Sequence, residues 1–288
     1  MDVRRLRLLL ELSRLGSMRA VADELGTTTS SVSQGIAALA REVGSPLVEP
    51  EGRRVRLTPA GHRLAEHAVN ILAAHEAARV DLDPEAEPIG ALRVAGFATA
   101  IRRTLLPAVH DLARTHPDVQ IRIHEHEPLE ALDLLAHDDV DLALTYDYNL
   151  APASWRSDHE VTPLWEVEWG LAVPAAGRPP TSLAAYADHE WIVNSRHTAD
   201  EEVLRTLASM AGFTPRVAHR IDALELVEEL IVAGLGVALL PRGQASGPGI
   251  TVLPLADPQV QLRAYAVTRR GRDRWPPLRA VLNRLAHG

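Results

Sequence analysis

Residues 16–44 read GSMRAVADELGTTTSSVSQGIAALAREVG, and three nested signals in them set the fold of the N-terminal region. Ser17 precedes a short run, Met18 to Leu25, in which Ala20, Val21, Ala22 and Leu25 offer one apolar side. A serine there caps a helix by accepting a hydrogen bond from a free backbone N–H. Gly26 stands where a tight turn needs a positive φ. After Thr27 and Thr28 a further helix is predicted to about Val43, with Val32, Ile36, Leu39 and Val43 as its apolar stripe and Gly44 as its stop. Upstream, Asp2 to Leu15 spaces Val3, Leu6, Leu9, Leu10 and Leu12 as a helix that ends at Gly16. Helix, short helix, glycine turn and helix in this order make a helix-turn-helix.

Working outward, Leu47-Val48 and Val55-Arg56-Leu57 flank a polar turn from Glu49 to Arg54 and read as a hairpin, a wing. Thr58-Pro59 is a helix start, a cap followed by proline at the first helical position. That helix is predicted to run to about Arg79, with Leu64, Ala68, Ile71, Leu72 and His75 along one side. Pairing with a second copy is the expected way to cover the stripe. Asp81 to Pro88 holds two prolines and four acids and reads as a hinge.

From Gly90 strands alternate with helices, as in a doubly wound sheet covered on both faces. Predicted strands are Leu92–Ala95, Val119–Glu125, Val140–Thr145, Val167–Val173, Trp191–Val193, Arg216–Arg220, Val237–Leu240 and Arg263–Thr268. Predicted helices are Ala100–Thr115, Leu129–Ala136, Asp200–Ala211, Ala223–Ala233 and Pro277–Ala286. The expected organisation is a head over 1–58, a linker helix over 59–80, a hinge over 81–89 and a two-lobed α/β body over 90–288. Lobe 1 takes about 90–162 and 267–288, and lobe 2 about 163–266.

Composition narrows the chemistry. Cysteine and lysine are both absent, which removes disulfides, thiolate metal sites, cysteine nucleophiles and Schiff-base lysines. The net charge is −8, yet residues 1–62 carry nine Arg against seven Asp and Glu, so a mildly basic head sits on an acidic body. No apolar run reaches the roughly 18–20 residues of a bilayer span, and Met1-Asp2-Val3-Arg4-Arg5 is not a secretory start. A cytoplasmic location is expected, with no membrane partner. No Gly-x-Ser-x-Gly elbow or phosphate loop is present, and neither a catalytic residue nor a cofactor is expected.

Residues 16–48 and the wing segment 52–61, GRRVRLTPAG, resemble the LysR-type transcriptional regulators without a gap. Looser likeness continues through Gly90-Ala91-Leu92-Arg93-Val94, Leu105-Leu106-Pro107, His116-Pro117-Asp118-Val119, Asp141-Leu142-Ala143-Leu144 and Ala233 to Pro241. The resemblance implies a winged helix-turn-helix, a dimerising linker helix and a periplasmic-binding-protein-like α/β effector domain. It also implies a homodimer or homotetramer on a pseudo-palindromic operator. Thr29 stands where the family often has glutamine, and Val48 and Pro50 replace a common Phe and Arg.

With Val32, Ile36 and Leu39 turned inward, Thr28, Thr29, Ser30, Ser33 and Gln34 face outward at the start of the third helix. Hydroxyls there suit phosphate oxygens, and a glutamine amide reaches base edges in the major groove. Arg53 and Arg54 on the wing are expected on phosphates or in the minor groove. In the body, Thr99 follows a predicted strand at the start of a helix. By resemblance it lines an effector cleft with Thr145, Tyr146, Asn194, Ser195 and Arg196, and Arg196 suits a carboxylate, so an anionic effector is expected. His124 and His126 share a strand face, but no third ligand accompanies them and no metal is expected. Gly234-Leu235-Gly236 follows a helix and precedes a strand, the wrong order for a dinucleotide fingerprint, and reads as a tight turn. Two alternatives stay open: a constitutive DNA binder without effector, and a small-molecule-binding protein or enzyme with a vestigial head.

Overall fold

The computed structural model describes the chain except residues 52–53, 83–87, 176–178, 195–198, 244–246, 256 and 287–288, and gives the backbone alone at 54, 80 and 81. In the head, α1 (Val3–Leu15), α2 (Met18–Glu24) and α3 (Thr29–Val43) lead into a hairpin of β1 (Val48–Glu51) and β2 (Arg54–Leu57). Leu6, Leu9 and Leu12 of α1 meet Val21 of α2 and Val32, Ile36 and Leu39 of α3 in one core, each nearly free of solvent. Burial of this kind contributes about 1.5–3 kcal/mol per side chain, which lets a small head hold its helices in place. Gly26 has φ +60°, the left-handed turn between α2 and α3.

Helix α4 (Pro59–Leu82) starts on a double-duty cap. The buried Thr58 hydroxyl donates to the Pro46 carbonyl (2.7 Å) and accepts from the Gly61 N–H (3.0 Å). The helix runs past Arg79 because no residue unable to continue it occurs before Pro84. Its apolar stripe does not stand clear as expected. Leu64, Ala68, Ile71 and Leu72 pack on the head core. The helix also lies against the 3₁₀ turn Arg272–Arg274 and against α10 (Pro276–Leu285). Of the five positions only His75 is exposed, because the head's own core covers the other four.

The body begins with β3 (Gly90–Gly96), α5 (Ala98–Ala100), a π-helical turn (Ile101–Leu105) and α6 (Leu106–Thr115). It continues with β4 (Val119–Glu125), α7 (Pro128–Ala136), β5 (Leu142–Tyr148), β6 (His159–Pro174), β7 (Glu190–Asn194) and α8 (Ala199–Met210). After these come β8 (Arg216–Ile221), α9 (Leu224–Val232), β9 (Val237–Pro241), β10 (Ile250–Pro254) and β11 (Val260–Arg269). One mixed sheet carries them in the order β4-β3-β5-β11-β6-β9-β7-β8, with β10 also on β6. Strands β4, β3 and β5 run parallel, as do β8, β7 and β9, while β11 and β6 are antiparallel to their neighbours and tie the two units together.

Both tying strands pass unbroken through 162–163 and 266–267, where a lobe boundary is expected. Their ladder skips one residue there: Ala264 pairs with Trp165 and Tyr265 with Pro163, leaving Leu164 as the extra residue. Apolar side chains cover the sheet on both faces, with Leu142, Leu144, Tyr146 and Tyr148 of β5 on one side and Ala143 on the other. At Gly236, φ is +156° and an added Cβ would lie 2.7 Å from the Glu190 carbonyl oxygen, so the turn into β9 takes only glycine.

A buried charge cluster closes the first unit. Asp141, whose side chain is 1% exposed, accepts from the Arg93 backbone N–H (2.9 Å), from Arg93 Nε and Nη2 (3.1 and 3.0 Å) and from Arg272 Nη2 (3.1 Å). Burial alone pushes the Asp141 carboxyl up, but Arg272 and Arg93 together outweigh it and hold the group below the usual carboxylate range. Beside them Asp138 faces Arg269 at 3.4 Å, and there burial prevails and raises the carboxyl. Arg272 also lies over the Trp275 ring at 4.1 Å.

Candidate nucleic-acid interface and ligand cleft

The α3 sequence puts its apolar residues at i, i+4 and i+7, so Val32, Ile36 and Leu39 bury and the opposite face is set free. Thr28, Thr29, Ser30, Ser33 and Gln34 all emerge exposed on the first two turns. Thr28 caps the helix, its Oγ1 accepting from the Ser31 N–H at 3.1 Å and lying 2.9 Å from Ser31 Oγ. Gln34 Nε2 donates to Ser30 Oγ at 3.4 Å, a long bond that a stronger acceptor displaces at little cost. The surface therefore combines unpaired first-turn N–H groups, five hydroxyls and one amide, with Ser31 as a member that the sequence reading did not single out. Its signal was available: it lies three residues after the cap, where a short polar side chain meets the capping hydroxyl.

On the wing, Arg54 pairs with Glu51 in the β1–β2 register. Its side chain and the whole of Arg53 lie outside the described residues. Arg56 is exposed and pairs with Glu49 at 2.7 Å, so part of the wing's positive charge is held by its own strand partner.

In the body a cleft of about 480 Å³ opens where β3 ends and the π-turn begins, between the two parallel units. Of the expected effector residues, Thr99, Tyr146 and Asn194 line it. Thr145 does not: it is 1% exposed, and strand alternation turns it to the face that carries Ala143. Ser195 and Arg196 lie outside the described residues. The Asn194 amide nitrogen donates to the Asp222 and Ile221 carbonyls (3.1 and 3.2 Å), tying β7 to the end of β8.

The floor is aromatic. Phe97 meets Tyr146 edge-on at 4.8 Å between ring centroids, and Tyr148 meets Trp169 at 5.4 Å. Behind it Asp200 is buried and accepts from the Tyr146 and Tyr148 hydroxyls, each at 2.7 Å. Burial, and next the Asp200 charge, push the Tyr148 hydroxyl well above its ordinary range, so it stays a donor.

The π-turn supplies the cleft residues that sequence reading missed. A π-turn widens the helix by one residue and re-aims the side chains that follow. Arg102 Nη1 reaches Glu225 Oε1 of α9 at 2.7 Å, across the cleft mouth. Arg103 lies over the Trp165 ring at 4.4 Å, and Thr104 Oγ1 accepts from the Trp165 indole N–H at 2.9 Å. Glu125 and Glu127 line the same cleft from the first unit, and Asp222, Glu225 and Glu228 line it from the second. From the His124–Glu127 run it is thus the carboxylates, not the histidines, that face this space.

Comparison with known proteins gives two family matches. Residues 3–62 match the bacterial regulatory helix-turn-helix of the LysR family, and residues 85–288 match the LysR substrate binding domain. The transcriptional dual regulator GltC of Bacillus subtilis is 26% identical, covering 96% of this chain and 93% of its own. A probable hydrogen peroxide-inducible genes activator of Mycobacterium avium is 27% identical over 88% of this chain and 83% of its own. Among solved structures, a full-length OxyR variant from Pseudomonas aeruginosa superposes with a TM-score of 0.73, at 22% identity, over 100% of this chain and 94% of that one.

Proposed function

This chain belongs to the LysR family of transcription regulators, and from that premise we propose that it reads an operator through the exposed start of α3 and adjusts its grip through a small molecule in the cleft. It acts as a DNA-binding regulator and not as an enzyme, in keeping with relatives named as regulators. Thr28, Thr29, Ser30, Ser33 and Gln34 are the residues we assign to DNA, with Arg53 and Arg54 on the backbone beside them. The observation that carries this assignment is their joint exposure on the helix face opposite Val32, Ile36 and Leu39.

Two heads are needed to read a pseudo-palindrome, so a homodimer or homotetramer is part of the proposal. The head, the linker helix and the body are its working units, at the boundaries set by the sequence pattern. Thr99, Tyr146 and Asn194 line the ligand cleft in this reading. The skipped residue at Leu164 supports a hinge there, since a bulge bends a strand pair without breaking its ladder. A ligand that binds the closed cleft better shifts the population toward it and thereby changes the placing of the heads.

DNase footprinting on the DNA flanking the protein's own gene tests this. Two protected half-sites about one helical turn apart, both lost in a Ser33→Ala/Gln34→Ala variant that still folds, are the expected result. A footprint unchanged by that double substitution overturns the assignment of α3.

A further inference from the structure

Resting on the reading of this cleft as the effector site, we propose that its ligand is an organic cation, an amine or guanidine with an apolar body and one uncharged oxygen acceptor. The expectation of an anion does not match the described lining. Five carboxylates face the space, from both units, against the two guanidinium groups of Arg102 and Arg103. Both guanidinium groups are engaged, Arg102 with Glu225 at 2.7 Å and Arg103 over Trp165 at 4.4 Å. Arg103 keeps its N–H edge free on that stack, but five carboxylates against two guanidinium groups still leave the described lining net negative by three.

The acids are not all compensated. Glu127 and Asp222 have other partners, and Glu225 has Arg102. Among the described residues Glu228 accepts from the Gly247 amide alone, at 2.9 Å, and Glu125 has no hydrogen bond or ion pair. These two stand on opposite units of the one cleft, so a cation held in it gains from the field of both. The Arg102–Glu225 pair is the protein's own instance of such a bridge.

The walls fit the same ligand. Four of the chain's eleven aromatic side chains, Phe97, Tyr146, Trp165 and Trp169, line this one space. Arg103 on Trp165 shows one of these rings already holding a cation on its face. Trp169 lines the cleft, is 4% exposed, and its indole N–H has no acceptor among the described residues. A neutral oxygen on the ligand satisfies that donor, which a hydrocarbon amine leaves unpaired.

The test is ligand binding to the full-length protein, followed by tryptophan fluorescence and calorimetry at several salt concentrations. The probes are matched triplets that differ only in the terminal group, with tyramine, tyrosol and para-hydroxyphenylpropanoate as the first set and aliphatic amine, alcohol and carboxylate sets beside it. Amines binding ahead of their alcohols, and carboxylates binding least, are expected. Glu125→Gln and Glu228→Gln should each weaken the amine about fivefold and leave the alcohol unchanged. Carboxylates binding more tightly than the matched amines would overturn the cation assignment while keeping the cleft as the effector site. Absence of binding by every probe would remove the cleft as a small-molecule site and both readings with it.

Discussion

Replacing Asp141 by alanine should be among the most damaging single changes in the body. The carboxylate is 1% exposed and accepts four hydrogen bonds at 2.9–3.1 Å, three of them from guanidinium groups. Truncation leaves the Arg93 and Arg272 side chains, 16% and 13% exposed, facing each other without the charge that holds them. Breaking a buried pair by removing one partner costs about 3–5 kcal/mol. Partial access to water lets the two arginines recover some of this, so the lower end, about 3 kcal/mol, is the value to expect. At about 2–4 °C per kcal/mol for a unit of this size, the calorimetric transition of the body should fall by about 6–12 °C. Asp141→Asn keeps one acceptor and should lose roughly half as much.

The pH dependence follows from the direction of the shift. The Asp141 carboxyl is held low in the folded state, so its contribution is fully present above the unfolded carboxylate value, about 4, and is lost as pH falls through its lower folded value. The gap between wild type and Asp141→Ala should therefore be constant near neutrality and close in acid. Asp138, raised by burial, has the opposite sign: its ionised form opposes folding, and that penalty is relieved as pH drops. Because Asp138 is common to both proteins, it cancels in the difference to first order. A loss below about 1 kcal/mol at neutral pH, or a gap that widens in acid, would refute this account of the cluster.

Gly61→Ala should destabilise the head by about 1–3 kcal/mol, seen as an earlier unfolding step, because its Cβ would meet the Leu47 carbonyl oxygen at 2.1 Å, and backbone cannot step aside like a side chain. Tyr148→Phe should cost about 1–3 kcal/mol in chemical denaturation, since it strips a 2.7 Å donor from the buried Asp200 carboxylate. Arg102→Glu should leave the melting temperature nearly unchanged, because the pair it breaks is about two-thirds exposed on both sides. Its effect belongs in ligand affinity: with one cation fewer and one acid more in the lining an amine should bind more tightly, and the exchange Arg102→Glu/Glu225→Arg should return that affinity to the wild-type level.

The head was legible because each of its elements is signalled locally. Ser17, Gly26, Thr28 and Gly44 punctuate helices whose apolar spacing already fixes the inner face, so exposure at Thr29, Ser33 and Gln34 follows from Val32, Ile36 and Leu39. In the body, β6 begins eight residues before the expected Val167, at His159, and so runs through Pro163, a residue that disfavours a strand interior. The strand tolerates it beside the extra residue Leu164, where the ladder is already irregular. β10 was missed because Ile250–Pro254 is short and closes on a proline. The cleft was half legible. Tyr146 and Asn194 came from resemblance, and alternation along β5 would have separated Tyr146 from Thr145. Its acid character was not readable, since Glu125 and Glu228 lie about a hundred residues apart and come to one cleft only in the folded chain. Nor does the run from Ile101 to Leu105 announce a π-turn, because its residue types suit an α-helix equally well.

The most direct test of the central claim is equilibrium binding of the purified protein to the DNA flanking its own gene, measured against random DNA over a salt series. The account predicts tight binding to the flanking DNA alone, weakening steeply with salt as phosphate contacts are lost, and abolished by Ser33→Ala/Gln34→Ala. Equal, weak affinity for both DNAs, insensitive to those substitutions, would contradict it.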